Sequence, residues 1–259
     1  SVTELSSGVA NLNTDELQEA LDRTYDYTVL VVEDDPDIQG YLQAELKQNF
    51  HVLVADNGVK ALEVLMSEEV SMVVSDVMMP EMNGFDLCRK IKSDIVLSHL
   101  PVMLLTALSD DKQQMYGAAS GADAYIQKPF NIEVVKLRII KLLEDRARLR
   151  EAYARDASSP AVSVKEEKAE SMDDLFMNRF LKLIEESYAD PDFSIEKGSE
   201  KLGLSRVHLY RKVKELAGVT PTDFLRNYRL KKAAALLRRK AGNVNEVAYA
   251  TGFGSPAYF

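Results

Sequence analysis

The chain carries two rhythms of apolar and polar positions. From Tyr27 to about Ala154, short apolar runs alternate with stretches in which apolar residues return every three or four positions. Val29–Val32 ends in Glu33-Asp34-Asp35-Pro36, after which Ile38, Tyr41, Leu42 and Leu46 recur at helical spacing. Val52–Val54 precedes Ala61, Leu62, Leu65 and Met66. Met72–Val74 runs into Ser75-Asp76, Val102–Leu105 into Thr106-Ala107, and Ala124–Ile126 into Gln127-Lys128-Pro129. Such alternation predicts right-handed crossovers and an α/β doubly wound, five-stranded parallel sheet covered on both faces by five helices. One helix starts near Asp110. The last starts near Asn131, meets neither Gly nor Pro before about Arg155, and carries a heptad-like seam (Ile132, Val135, Ile139, Leu142, Leu149, Tyr153) broken by Arg146. The Ile139–Leu142–Leu149–Tyr153 part of that seam predicts an apolar stripe left exposed in a monomer, where a second copy pairs weakly.

Beyond Met172 the period is helical throughout: Phe180, Leu183 and Ile184; Leu202 and Leu204; Val207, Leu209 and Val213; Phe224 to Leu237. An all-α domain is expected there. Residues 156–171 are polar and poor in aromatics, as a linker is. Residues 1–26 are polar, with a short amphipathic patch at Leu17, Ala20 and Leu21 and no core of their own. The expected division is therefore a leader at 1–26, an α/β domain at 27–155, a linker at 156–171 and a helical domain at 172–259.

Charge sharpens this division. The 259 residues carry a net −9, yet residues 1–171 hold 17 Lys+Arg against 30 Asp+Glu, while residues 194–259 hold 13 against five. A basic C-terminal quarter on an acidic chain points to a polyanion partner for that stretch, with a solvated basic face as the bland alternative. The lone cysteine, Cys88, excludes a disulfide framework and fits packing inside a helix; His51 and His99 have no partners at metal-ligand spacing. No apolar run approaches the ~20 residues of a membrane span, and Ser-Val-Thr-Glu-Leu is not a secretory start. A cytoplasmic chain with no membrane contact is expected.

In an open parallel sheet, ligands bind beyond the carboxyl ends of the strands. Those ends bring Glu33, Asp34, Asp76, Thr106 and Lys128 to one edge. Crowded carboxylates repel unless a cation joins them, and a hard ion that takes one or two carboxylates plus a phosphoryl oxygen is Mg²⁺. A phosphoryl group on Asp76 needs its charge met by that ion and Lys128, with a hydrogen bond from Thr106.

Residues 27–150 resemble the response-regulator receiver family. The resemblance is carried by Val31-Val32-Glu33-Asp34, by Ser75-Asp76-Val77-Met78-Met79-Pro80-Glu81-Met82-Asn83-Gly84, by Leu105-Thr106-Ala107 and by Tyr125-Ile126-Gln127-Lys128-Pro129-Phe130. It implies a flavodoxin-like fold and Asp76 as phosphoacceptor, with Glu33, Asp34 and the Met78 carbonyl around Mg²⁺. It also implies Lys128 on the phosphoryl oxygen, Thr106 and Tyr125 as a coupled switch, and a cis peptide before Pro129. Glu33 stands where the family more often has Asp. A rival enzyme reading is a Mg²⁺-dependent phosphatase using Asp35-Pro36-Asp37, but that family wants Thr or Val where this chain has Gln39.

In the basic quarter, Ser194 is placed to cap one helix, Gly203-Leu204 to turn, and Ser205 to cap a second helix, Arg206 to Leu216. Leu209, Val213 and Leu216 fall on its apolar face, and the arginines opposite suit a reader of the DNA major groove. Asn243 to Phe259 repeats helix, glycine turn, then Ser before Pro. Residues 172–259 resemble the arabinose-operon-activator (AraC) family through Leu209-Tyr210-Arg211-Lys212, Gly218-Val219-Thr220-Pro221 and Ala248-Tyr249-Ala250-Thr251-Gly252-Phe253. The resemblance implies base contacts by Arg206, Val207, Tyr210 and Arg211, with Lys212 and Lys214 on phosphates or solvent; the family's pattern continues past position 259.

Together these imply a phosphorelay response regulator rather than an enzyme. Its expected partners are a histidine kinase, in cis or in trans, promoter DNA, and a second copy of the chain on phosphorylation. Twenty-six residues before the first strand, with no initiator Met, favour a fragment of a hybrid kinase over a free-standing regulator. A receiver that only sequesters a partner, with the helices as scaffold, is the interaction-module alternative.

Overall fold

The structure, a computed structural model, describes residues 14–107, 120–156, 171–255 and 259. The chain divides into two compact units, one of Ser1–Ser93 and Leu100–Asp145, the other of Asp94–His99 and Arg146–Phe259. The helix expected near Asp110 lies outside the described residues.

In the first unit five strands form one parallel sheet in the order β2-β1-β3-β4-β5: β1 Thr28–Val32, β2 His51–Ala55, β3 Met72–Asp76, β4 Val102–Thr106 and β5 Ala124–Gln127. Every residue of β3 and β4 is buried, which is why these strands read as unbroken apolar runs instead of alternating ones. Helices α2 (Pro36–Leu46), α3 (Gly58–Ser67) and α4 (Gly84–Ser93) connect the strands. Asp35 caps α2 by accepting the backbone N–H groups of Asp37 and Ile38, with Pro36 at the first helical position, and Asn57 caps α3 in the same way. The Asp35-Pro36-Asp37 triplet is thus a helix start, the bland reading of those acids.

The last helix of this series, α5 (Ile132–Asp156), does not expose the expected seam. Ile139 and Val135 are fully buried in the core with Val29, Leu42 and Met103, and Leu142 packs against the same core. These positions face their own sheet because it needs an apolar cover on that side; the side chains of Leu149 and Tyr153 lie outside the described residues.

The leader is also more than a tether. Helix α1 (Thr14–Asp22) leads to Tyr25, which stacks on Phe50 with ring centroids 5.6 Å apart, while Ala20 packs on the core. Buried Asn49 ties the segment down: its Nδ2 donates to the carbonyls of Leu21 (2.6 Å) and Arg23 (2.8 Å), and its own carbonyl accepts from the Tyr25 N–H.

The second unit is helical: α6 Met172–Ser187, α7 Ile195–Leu202, α8 Arg206–Ala217, α9 Pro221–Arg238 and α10 Val244–Ala250. Each starts on a capping side chain: Ser171, Ser194, Ser205, Thr220 and Asn243. Its core gathers Phe176, Phe180, Ile184, Leu209, Val213 and Phe224. Asn49→Ala removes the donors of two part-buried hydrogen bonds and should cost about 1–3 kcal/mol in urea unfolding, with faster amide exchange confined to α1 and Tyr25.

Candidate functional site

The strand register assembles the acidic edge. Val32 pairs with Ser75, Asp76 with Leu105, and Thr106 with Gln127, so Glu33, Asp76, Thr106 and Lys128 leave neighbouring strand tips at one level. Carboxylate oxygens of Glu33, Asp34 and Asp76 lie within 4.8 Å of one another; Glu33 and Asp76 are buried and Asp34 is exposed. The Lys128 ammonium sits 2.9 Å from Glu33 Oε2 and 2.9 Å from Asp76 Oδ1. Burial pushes the Glu33 carboxyl above its usual range, against the pull of the Lys128 hydrogen bond. Burial also works against the Lys128 charge, but its hydrogen bonds to Glu33 and Asp76 outweigh that and hold the ammonium above the ordinary lysine value.

The donors are all oxygen, one cation already bridges two of the three acids, and the third faces water. That set suits a hard divalent ion such as Mg²⁺, which keeps several of its waters. Thr106 is fully buried at the tip of β4. Tyr125 is half-buried, its hydroxyl 2.6 Å from Ser120 Oγ, and burial raises its pKa. The Met78 side chain is 69% exposed, so a carbonyl is what that residue has to offer the edge. The Lys128–Pro129 peptide is cis.

Several residues that shape this edge were given no role in it by the sequence. Gln39 donates to the carbonyls of Glu33 (2.8 Å) and Ala55 (3.1 Å), fixing the turn that presents the acids. Glu81 takes a left-handed backbone at φ 62°, a region that costs a non-glycine residue, and the Asn57 amide reaches its carboxylate at 3.2 Å. Gly84 has a legible reason: a Cβ there would collide with the Asp76 carbonyl, so α4 starts against the backbone of that aspartate only because Gly84 has no side chain. Cys88 is buried, its thiol pushed up to about 11 by burial, an inert packing residue.

In the second unit, α7 ends at Gly203 (φ 71°), and Ser205 opens α8. Arg206 and Val207 (64% exposed), Tyr210, Arg211 and Lys214 lie on the face of α8 away from its buried residues, with Arg206, Val207 and Lys214 exposed and the other two half-buried. Arg206 is held by Glu196 of α7 at 3.2 Å and lies over the Tyr210 ring at 5.4 Å; the Tyr210 hydroxyl bonds Thr222. Lys212 departs from expectation. It is fully buried, its ammonium 2.6 Å from Asp173, so it reaches neither phosphate nor solvent. One position past the half-buried Arg211, the helical turn carries it to the core side. The helix expected to start at Pro256 lies outside the described residues.

Residues 29–140 match the response regulator receiver domain family, and residues 199–259 match a helix-turn-helix domain family. A histidine kinase P4 of Formosa agariphila is 37% identical over 248 residues, 96% of this chain but 18% of that protein. The transcriptional regulatory protein GltR of Pseudomonas aeruginosa is 38% identical over 117 residues, 45% of this chain and 48% of its own length. The chain therefore spans less than half the length of these relatives. A receiver-domain crystal structure from a Syntrophus aciditrophicus signal transduction histidine kinase is 30% identical, covers 55% of this chain and 97% of its own, and has a TM-score of 0.44.

Removing the cation that, among the described residues, touches both buried acids should be costly. Lys128→Ala is expected to lose about 1–3 kcal/mol of stability at about pH 7 without added metal. The deficit should shrink as the pH falls to about 4, because a protonated Glu33 no longer needs the ammonium. Urea unfolding across that range checks both the size and the sign.

Proposed function

The chain pairs a response regulator receiver domain with a helix-turn-helix domain of the arabinose-operon-activator type, and from that pairing we propose that it is the output end of a phosphorelay in which Asp76 accepts the phosphoryl group. The observation that carries this reading is the bridge from Lys128 to both Glu33 and Asp76, which puts a fixed positive charge beside the one buried aspartate at the strand tips. An Asp76 oxygen attacks phosphorus, the bond from phosphorus to the donor histidine breaks, and the imidazole leaves with the electron pair and takes up a proton. Glu33, Asp34, Asp76 and the Met78 carbonyl would hold Mg²⁺, which when bound neutralises the charge on the transferring oxygens. Lys128 exchanges a carboxylate partner for a phosphoryl oxygen, and Thr106 supplies a hydrogen bond as it moves toward the new group. Tyr125 follows by leaving Ser120.

The DNA-reading face is Arg206, Val207, Tyr210, Arg211 and Lys214, read in the cytoplasm. The kinase is proposed to lie in cis, a reading supported by the similarity to the F. agariphila histidine kinase P4, which aligns along nearly all of this chain. Phosphorylation is proposed to bring two copies together through the face that carries β4, β5 and the start of α5, without the buried Ile139 seam.

Acetyl phosphate with Mg²⁺ should add one acid-labile phosphoryl group to the wild type and none to Asp76→Asn; label retained in that variant, read by intact-mass spectrometry, removes Asp76 as acceptor. On a duplex selected from a random-sequence pool, Arg211→Ala should cost about 1–3 kcal/mol and relax preference at its base pair, whereas equal weakening on all duplexes would make it a phosphate contact.

A further inference from the structure

The reading helix α8 holds a charge that no groove can reach. Lys212 Nζ donates to Asp173 Oδ1 at 2.6 Å and to Ser98 Oγ at 2.8 Å, lies 3.5 Å from His99 Nδ1, and sits over the Phe176 ring at 5.8 Å. Ser98 Oγ donates to the same Asp173 oxygen at 2.8 Å, and Arg146 donates to the other at 3.1 Å. The ion pairs with Lys212 and Arg146 overcome burial and hold Asp173 down at about 2, while burial lowers Lys212 and takes His99 down to about 3. A buried ammonium tolerates little displacement from its acceptors, so the cluster sets where α8 lies within its unit.

Ser98 and His99 belong to a short turn inside the second unit, Asp94–His99. The Asp94 carboxylate caps it, accepting the N–H groups of Val96 (2.7 Å) and Leu97 (3.0 Å), and Ile95 packs on the helical core. In the chain this turn directly follows Ser93, the last residue of α4. The first residue of α4 is Gly84, the glycine pressed against the Asp76 carbonyl. Ten residues of α-helix make a rod of about 15 Å. One of its ends is fixed on the backbone of Asp76, and the other continues into the turn that grips Lys212.

We propose that Lys212 is a positioning residue of the DNA-reading helix and not a DNA contact, and that the 94–99 turn, through Ser98 and Asp173, passes to α8 any shift that phosphorylation of Asp76 imposes on α4. The route rests on the Asp76 reading above and is separate from the dimerising face.

Amide exchange on the full chain, with and without beryllofluoride and Mg²⁺ as a phosphoryl mimic, tests the route. In the wild type, exchange should change both in Val77–Phe85 and in Leu209–Ala217. Ser98→Ala should keep the first change and lose the second. A wild type responding at neither segment removes the Asp76 reading and this route together; a response at Val77–Phe85 alone, or an α8 response undiminished in Ser98→Ala, overturns the route while leaving Asp76 in place. For Lys212, affinity for a mixed-sequence duplex is measured against salt. Lys214→Met should reduce the slope of log K against log salt by about 0.9 and Lys212→Met should leave it unchanged. A fall of about 0.9 in Lys212→Met makes it a phosphate contact and overturns the assignment. If Lys212→Met does not fold, Lys212→Arg serves, expected to keep the slope and to weaken the α8 response; a normal response in it overturns the proposal.

Discussion

Carboxylates gathered at the tips of a parallel sheet repel one another, and this edge depends on Lys128 standing between two of them. The rest of the first unit serves that meeting. Strand order and register bring residues far apart in the chain to one level, α2 starts on Asp35 so that Glu33 and Asp34 are presented, and Gly84 lets α4 begin against Asp76.

Much of this was legible in the sequence because it follows from period and punctuation. The five strands end within two residues of where their apolar runs end, and Ser194, Ser205 and Asn243 cap the helices they precede. The site residues stood at strand tips, where a parallel sheet puts its chemistry. What stayed hidden depends on three-dimensional complementarity. The seam on α5 looked free because a heptad pattern does not say whether it meets a second copy or its own sheet; Ile139 meets its own sheet. The leader looked unanchored because its anchor, Asn49, is a single amide some 28 positions away from Leu21.

Lys212 shows the limit most sharply. Basic residues crowd the last quarter of the chain, and charge counting assigns them all to an outer face. The helical period places Lys212 with Leu209, Val213 and Leu216 on the inner face, but one lysine among aliphatic positions reads as noise until its acid is found 39 residues earlier. Arg146, which looked like a flaw in an apolar stripe, is the second cation on that acid.

That buried cluster constrains how the protein can be re-engineered. The helix proposed to read DNA is the natural cassette for exchanging specificity, yet α8 is not self-contained, because its lysine needs an acid on α6 and a hydroxyl from the 94–99 turn. Grafting α8 alone into a helical unit lacking both would bury a bare ammonium, and importing a foreign helix here would leave Asp173 with Arg146 and Ser98 but without its buried ammonium. The exchangeable module is the helix together with residues 98 and 173, and drift at any of the three is tied to the others.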